Sequence, residues 1–187
     1  VTLNDFITRF QLHPPVGNQG YPHNAKQSAV LLPLCELEGE LHILFCKRPS
    51  YLKHHPAEIC FPGGKFELAD GDLRTTALRE SNEELNLAAQ HINLIGELDA
   101  YWTLTGFEIK PYVGIITDLT AIQPAEDEVE KIFYIPFSAL RTPQNWQPLP
   151  FVRQNKPRIL QGFYTEHGLL WGATAQIVRN LVKQVSV

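Results

Sequence analysis

Leu3, Phe6, Ile7 and Phe10 recur at i, i+3, i+4 and i+7, a spacing that predicts a short docking helix closed by Pro14 and Pro15. Residues 28–37 (SAVLLPLCEL) and 41–48 (LHILFCKR) are apolar runs of strand length on either side of Glu38, Gly39 and Glu40, the pattern of a hairpin. Pro33 lacks an N–H to donate, so the first strand is expected at a sheet edge or at a bulge. Residues 57–61 predict a third strand ending at Pro62, Gly63 and Gly64. A helix is expected from about Asp72 to Leu85, capped by Asp70 or Asp72, with Asn86 suited to the left-handed position after it. Its inner face would be Leu73, Ala77, Leu78 and Leu85. Strand-like runs follow at 92–104, 108–117, 129–135 and 158–164, broken by turns at Thr105-Gly106 and in the acidic stretch Glu126, Asp127, Glu128. The last element, about Ala173 to Lys183, sets Ile177, Val178, Leu181 and Val182 on one helical face. Strands and helices mix without strict alternation, which points to an α+β fold or a helix–sheet–helix sandwich rather than a doubly wound sheet.

Composition narrows this picture. With 187 residues, 44% of them apolar, the chain exceeds the size at which core burial fails, and one domain over 1–187 is expected. Sixteen Lys and Arg against 20 Asp and Glu leave a formal charge of −4, so no broad basic field exists for a nucleic acid. A polyanionic substrate must be held by a local patch or by metal. No apolar run approaches the roughly 20 residues of a spanning helix and no signal-peptide layout opens the chain, so a cytoplasmic protein without membrane partners is expected. Cys35, Cys46 and Cys60 are an odd number without CxxC spacing, each inside an apolar stretch, which favours burial over a disulfide or zinc site.

The chemistry concentrates in Phe61-Pro62-Gly63-Gly64-Lys65, Asp70 and Arg79-Glu80-Ser81-Asn82-Glu83-Glu84. Glu80, Glu83 and Glu84 are three and four apart and project from one side of the helix, where like charges repel by a few tenths of a kcal/mol per pair. A hard divalent cation, which takes carboxylate, water and phosphate oxygens, turns that repulsion into attraction. A merely solvated Glu-rich face has the same spacing. The glycine pair allows close backbone approach, with a carbonyl for a metal or an amide for a phosphate, although a plain turn also uses two glycines.

Together these residues resemble the Nudix box: Gly64, Arg79, Glu80, Glu83, Glu84 and Leu87 match it. Asp70 stands where the box has Glu, one extra residue separates it from Arg79, Ser81 takes an apolar position and Asn86 replaces a Gly. The longer spacing is similar to the branch of the family that acts on coenzyme A. The stretch 45–64, with Ala57 for a Gly and Lys53 for an Arg, looks like that branch's upstream signature. Thr105-Gly106-Phe107 with Pro111 and Val113-Gly114, and Trp171-Gly172-Ala173-Thr174-Ala175, look like its later segments. The resemblance covers residues 1 to about 183.

It implies a Nudix-type α/β/α sandwich, with a mixed sheet between helices, hydrolysing a nucleoside diphosphate linked to another moiety with Mg²⁺ or Mn²⁺. Gly64, Glu80, Glu83 and Glu84 are then the metal candidates, and Arg79 is expected to orient the carboxylates unless it is an ordinary surface ion pair. The general base comes from the box or from a later loop, where Glu128 is the candidate and a solvated acidic turn the plainer alternative. Lys47, Arg48 and Lys53, beside His54 and His55, form the basic cluster ahead of the box; with Gly63 and Gly64 they are candidates to bind substrate, including the 3′-phosphate of coenzyme A. Glu58 either salt-bridges locally or takes part in catalysis. Coenzyme A or an acyl derivative is the leading substrate, with ADP-ribose, NADH or another dinucleotide as alternatives and a non-catalytic nucleotide-binding module as the remaining class. A monomer or homodimer is expected.

Overall fold

The computed structural model describes residues 1–15, 24–153 and 155–186. A mixed sheet forms the centre. Strands β1 (Lys26–Leu37) and β2 (Glu40–Lys47) make the expected hairpin, whose turn puts Glu38 and Gly39 at φ 51° and 79°. β2 continues antiparallel to β8 (Lys131–Pro136) and to the two-residue β3 (Ile59–Cys60), shorter than the run predicted at 57–61. On its other side β1 runs parallel to β7 (Phe107–Ile116), which pairs antiparallel with β5 (Ile92–Glu97) and β6 (Tyr101–Trp102). The run 92–104 is thus two strands.

Pro33 does not lie on an edge. β1 is central, and along one flank it changes partner, pairing with β4 (Gly63–Lys65) at residues 28–30 and with β2 from Leu34 onward. The N–H groups of odd-numbered residues face that flank, as Leu31 shows by donating to Pro62 O at 2.9 Å. Position 33 falls in the gap between the two partners, where an absent donor breaks no ladder bond.

The sheet is buried on both faces, which explains why its strands read as continuous apolar runs rather than alternations. Leu32, Leu34, Ile43 and Phe45 pack with Phe6 and Phe10 of α1 (Leu3–Leu12) and with Ile177, Val178 and Leu181 of α4 (Gly172–Val185). The opposite face sets Leu31, Leu44 and Cys46 against Leu85 of α2 (Leu73–Leu85) and Leu87. A short α3 (Phe137–Arg141) closes the first layer. The run 158–164 belongs to a separate three-stranded sheet of β9 (Trp146–Arg153), β10 (Lys156–Thr165) and β11 (Gly168–Leu170). Cys35 and Cys46 are buried and Cys60 partly so, all as free thiols.

Candidate active site

α2 starts at Asp72, whose side chain accepts from Thr75 N at 2.7 Å, and ends on Asn86 in the left-handed conformation, φ 54°. Asp70 is therefore not the cap. It lies at the end of a 3₁₀ turn, Leu68–Asp70, with its side chain 2% exposed, and receives Arg79 through two bonds, Nε to Oδ1 at 2.7 Å and Nη2 to Oδ2 at 3.1 Å. These bonds first, with help from Glu67 N and Thr76 Oγ1, outweigh burial and hold the Asp70 carboxyl well below the usual range. The shorter Asp carboxyl at the box's Glu position thus reaches Arg79 across the extra residue of spacing. Ser81, at a nominally apolar position, is fully buried and donates to Ala77 O at 2.7 Å.

Arg79 uses its remaining donors on Glu80 Oε1 at 3.0 Å, Glu83 Oε2 at 2.9 Å and the Lys65 carbonyl at 3.1 Å. It is no ordinary surface pair: one guanidinium bridges three carboxylates and the strand carrying the glycines. Glu84 is 3% exposed and its Oε2 accepts from Gly63 N–H at 3.3 Å. Burial above all, then repulsion from Glu80 and Glu128, pushes its carboxyl up to about 8. Burial also raises Glu80, against the pull of Arg79. Glu83 is half-exposed.

Glu128 reaches the same charge cluster because its loop is tied to the end of α2: Gln123 N donates to Leu85 O at 2.8 Å and Ala125 N to Glu84 O at 2.9 Å. The glycines divide their work. A Cβ on Gly63 would meet Ala29 O at 2.4 Å, so Gly63 permits the β1–β4 pairing, whereas a Cβ on Gly64 would meet Glu80 Oε1 at 2.1 Å, so Gly64 makes room for that carboxylate.

Among the described residues no three His, Cys, Asp or Glu side chains already converge as a cation cage. Glu80 and Glu83 turn to Arg79, and Glu84 to Gly63. The donor set nevertheless suits a hard divalent cation: the charge on Glu128 works against ionisation of both Glu80 and Glu84, as does that of Glu80 on Glu84, a repulsion that a cation relieves, and the Gly64 backbone lies directly against Glu80.

The basic cluster of the sequence is dispersed. Lys47 pairs with Glu130 at 3.2 Å and Lys53 sits exposed in the loop before β3, while Arg48 turns inward beside Glu84 and Cys60. Arg48, Gly63, Gly64 and Lys65 line an inner chamber of about 270 Å³. It opens into an outer chamber of about 620 Å³ beneath β10, and the two share His55, Glu58, Thr103, Thr105, Ala173 and Thr174. Three sequence segments far apart, the loop before β3, Thr105-Gly106-Phe107 and Trp171–Thr174, thus meet on one cleft. His54 and His55 form no pair; His55 Nδ1 lies 2.8 Å from Glu58 Oε2, the local bridge anticipated for Glu58. Sequence reading missed Lys156 and Arg158, which carry no local motif and enter the cleft only through strand pairing, and it gave Lys65, named with the glycines, no binding role.

The pattern of the NUDIX domain matches residues 25–154. The uncharacterized Nudix hydrolase NudL of Enterobacter sp. (strain 638) is 34% identical over all of this chain and 96% of its own length, and that of Citrobacter koseri 35% with the same coverage. In fold, the chain is similar to a MutT/nudix family protein from Enterococcus faecalis (TM-score 0.58, 13% identity, 99% of this chain and 70% of that one). The NUDIX domain of Shewanella oneidensis NrtR, complexed with ADP ribose, is also similar (TM-score 0.56, 14% identity, 89% and 95%). Domain match and full-length relatives agree: the chain belongs to the Nudix hydrolase family, enzymes that act on nucleoside diphosphates linked to another moiety and generally use divalent metal ions such as Mg²⁺ or Mn²⁺.

Proposed function

We propose that the chain hydrolyses the diphosphate of coenzyme A or acyl-coenzyme A, giving phosphopantetheine, with any acyl group, and 3′-phosphoadenosine 5′-phosphate. The observation that carries this reading is the meeting of Glu80, Glu84, Glu128 and the Gly63-Gly64 backbone with a long two-chambered cleft, large enough for far more than a diphosphate. Glu80, Glu83, Glu84 and the Gly64 carbonyl would hold Mg²⁺ or Mn²⁺, which when bound neutralises diphosphate charge and eases deprotonation of water. Arg79 keeps the carboxylates in place, and its neighbour Asp70 keeps Arg79 in place. Arg48, beside Glu84, meets the diphosphate as a fixed cation. Glu128, exposed at its loop yet within the field of both glutamates, is the base candidate with room to accept a proton from water.

Incubation with coenzyme A, acyl-coenzyme A, ADP-ribose, NADH and diadenosine polyphosphates in Mg²⁺, followed by product analysis, tests this. Release of 3′-phosphoadenosine 5′-phosphate is expected to dominate. Preferred cleavage of ADP-ribose or NADH would replace the substrate assignment, and no cleavage of any member of the panel would replace it with nucleotide binding alone.

A further inference from the structure

The basic residues ahead of the box do not gather, and the cations that do share a wall lie elsewhere. Along β10, side chains two apart face the same way, and Lys156, Arg158 and Leu160 all line the outer chamber. Lys156 and Arg158 are exposed at its rim, and neither has a carboxylate partner among the described residues. Glu58, the one acidic side chain in that lining, is already taken by His55. Beside the cations the lining is aromatic. Phe151 pairs with Arg158 across the hairpin, Tyr101 lies at the sheet, and Trp171 remains 43% exposed at the start of α4.

Two cations without a carboxylate partner among the described residues, beside partly exposed aromatic rings, suit a group that is flat on one side and multiply anionic on the other. We infer that the outer chamber is a subsite for a ribose-phosphorylated nucleoside: its base lies on the aromatic wall and the phosphate on its ribose, outside the diphosphate, is held by Lys156 and Arg158. This rests on the diphosphate-hydrolase reading only for which substrate delivers the nucleoside. It moves recognition of the extra phosphate away from Lys47 and Lys53.

The experiment measures binding of adenosine 3′,5′-bisphosphate and adenosine 5′-monophosphate by calorimetry, in EDTA and at low salt, so that turnover plays no part. The parent is expected to favour the bisphosphate by about 10-fold, the lower end for a charge-assisted phosphate contact because the rim is solvated, with the preference shrinking as salt rises. Lys156→Ala/Arg158→Ala should bring the ratio near one, and Lys156→Arg/Arg158→Lys should keep it; thermal melts confirm that both fold. The inference is overturned if the ratio survives the double alanine substitution, or if Lys47→Ala or Lys53→Ala abolishes it instead. It is also overturned if the double alanine variant loses discrimination between acyl-coenzyme A chain lengths while keeping the phosphate preference, since the chamber would then hold the thiol end. A parent that prefers the bisphosphate through these residues yet cleaves no coenzyme A would sink the hydrolase assignment and leave the subsite standing.

Discussion

Replacing either of the two adjacent glycines by alanine separates folding from chemistry. On Gly64 the new Cβ would sit 2.1 Å from Glu80 Oε1 and 2.3 Å from its Cδ, against 3.4 Å for the near edge of ordinary contact. The carboxylate, at the end of a flexible side chain, has to retreat by about 1 Å, and a displacement of that size costs about 10²-fold in rate. Gly64 does not have a positive φ, so alanine fits the backbone and even reduces unfolded-state freedom by ~0.4–1 kcal/mol. Gly64→Ala should therefore melt within about 4 °C of the parent while hydrolysis falls about 100-fold. On Gly63 the Cβ meets Ala29 O at 2.4 Å and Val30 Cα at 2.7 Å, backbone atoms of a central strand that cannot step aside. Gly63→Ala should lose roughly 2 kcal/mol or more, some 4–8 °C, through the forced separation of β1 and β4. Melting curves and initial rates with coenzyme A in Mg²⁺ check both. A Gly64→Ala enzyme with near-parental turnover, or one as destabilised as Gly63→Ala, would refute the division of labour.

Hydrolysis should vanish in EDTA and return with Mg²⁺ or Mn²⁺; full activity in chelator would dismiss the carboxylate face as the metal site. Glu84→Gln keeps an acceptor for Gly63 N–H but removes a charge, so kcat should fall at least about 10²-fold with the fold retained in circular dichroism. Because Glu84 is raised to about 8 from an ordinary 4.5, the folded metal-free protein binds more protons than the unfolded chain between those values. Its stability should fall as pH rises through that window, a slope that calorimetry should find weakened in Glu84→Gln and opposed by Mg²⁺. Asp70 has the opposite sign: its contribution is complete above the ordinary carboxylate value and fades as pH falls toward its lowered one, and Asp70→Asn should cost about 2 kcal/mol in urea titrations by leaving Arg79 half-anchored.

The helices at both ends, the first hairpin and the box helix were legible because local periodicity and capping chemistry fix them. Asn86 and Asp72 occupy the cap positions their side chains predict. The placing of Pro33 was not legible, since whether a missing donor matters depends on which strand lies alongside, a long-range fact. The basic cluster misled for a related reason: Lys47, Arg48 and Lys53 are neighbours in sequence, but Lys47 is drawn to Glu130 just before β8, Arg48 turns inward beside Glu84, and Lys53 lies in the loop that follows. Ala57, where the resembled signature has Gly, adopts φ 56°, so that departure shows as backbone strain rather than as a lost contact.

The parallel pairing of β1 with β7 joins Lys26 to Phe107, about eighty residues away, and it is the only parallel pair among the described strands. Closing so long a loop is entropically costly and slow, whereas α2 and the first hairpin are local. Phe107 lies in the inner chamber, and Gly63 and Gly64 hang on the opposite flank of the same β1. A chain that has formed its helices but not this distant pairing therefore has the carboxylates on α2 and no cleft for them to face, which makes assembly of the site a late event tied to long-range strand pairing rather than to local structure.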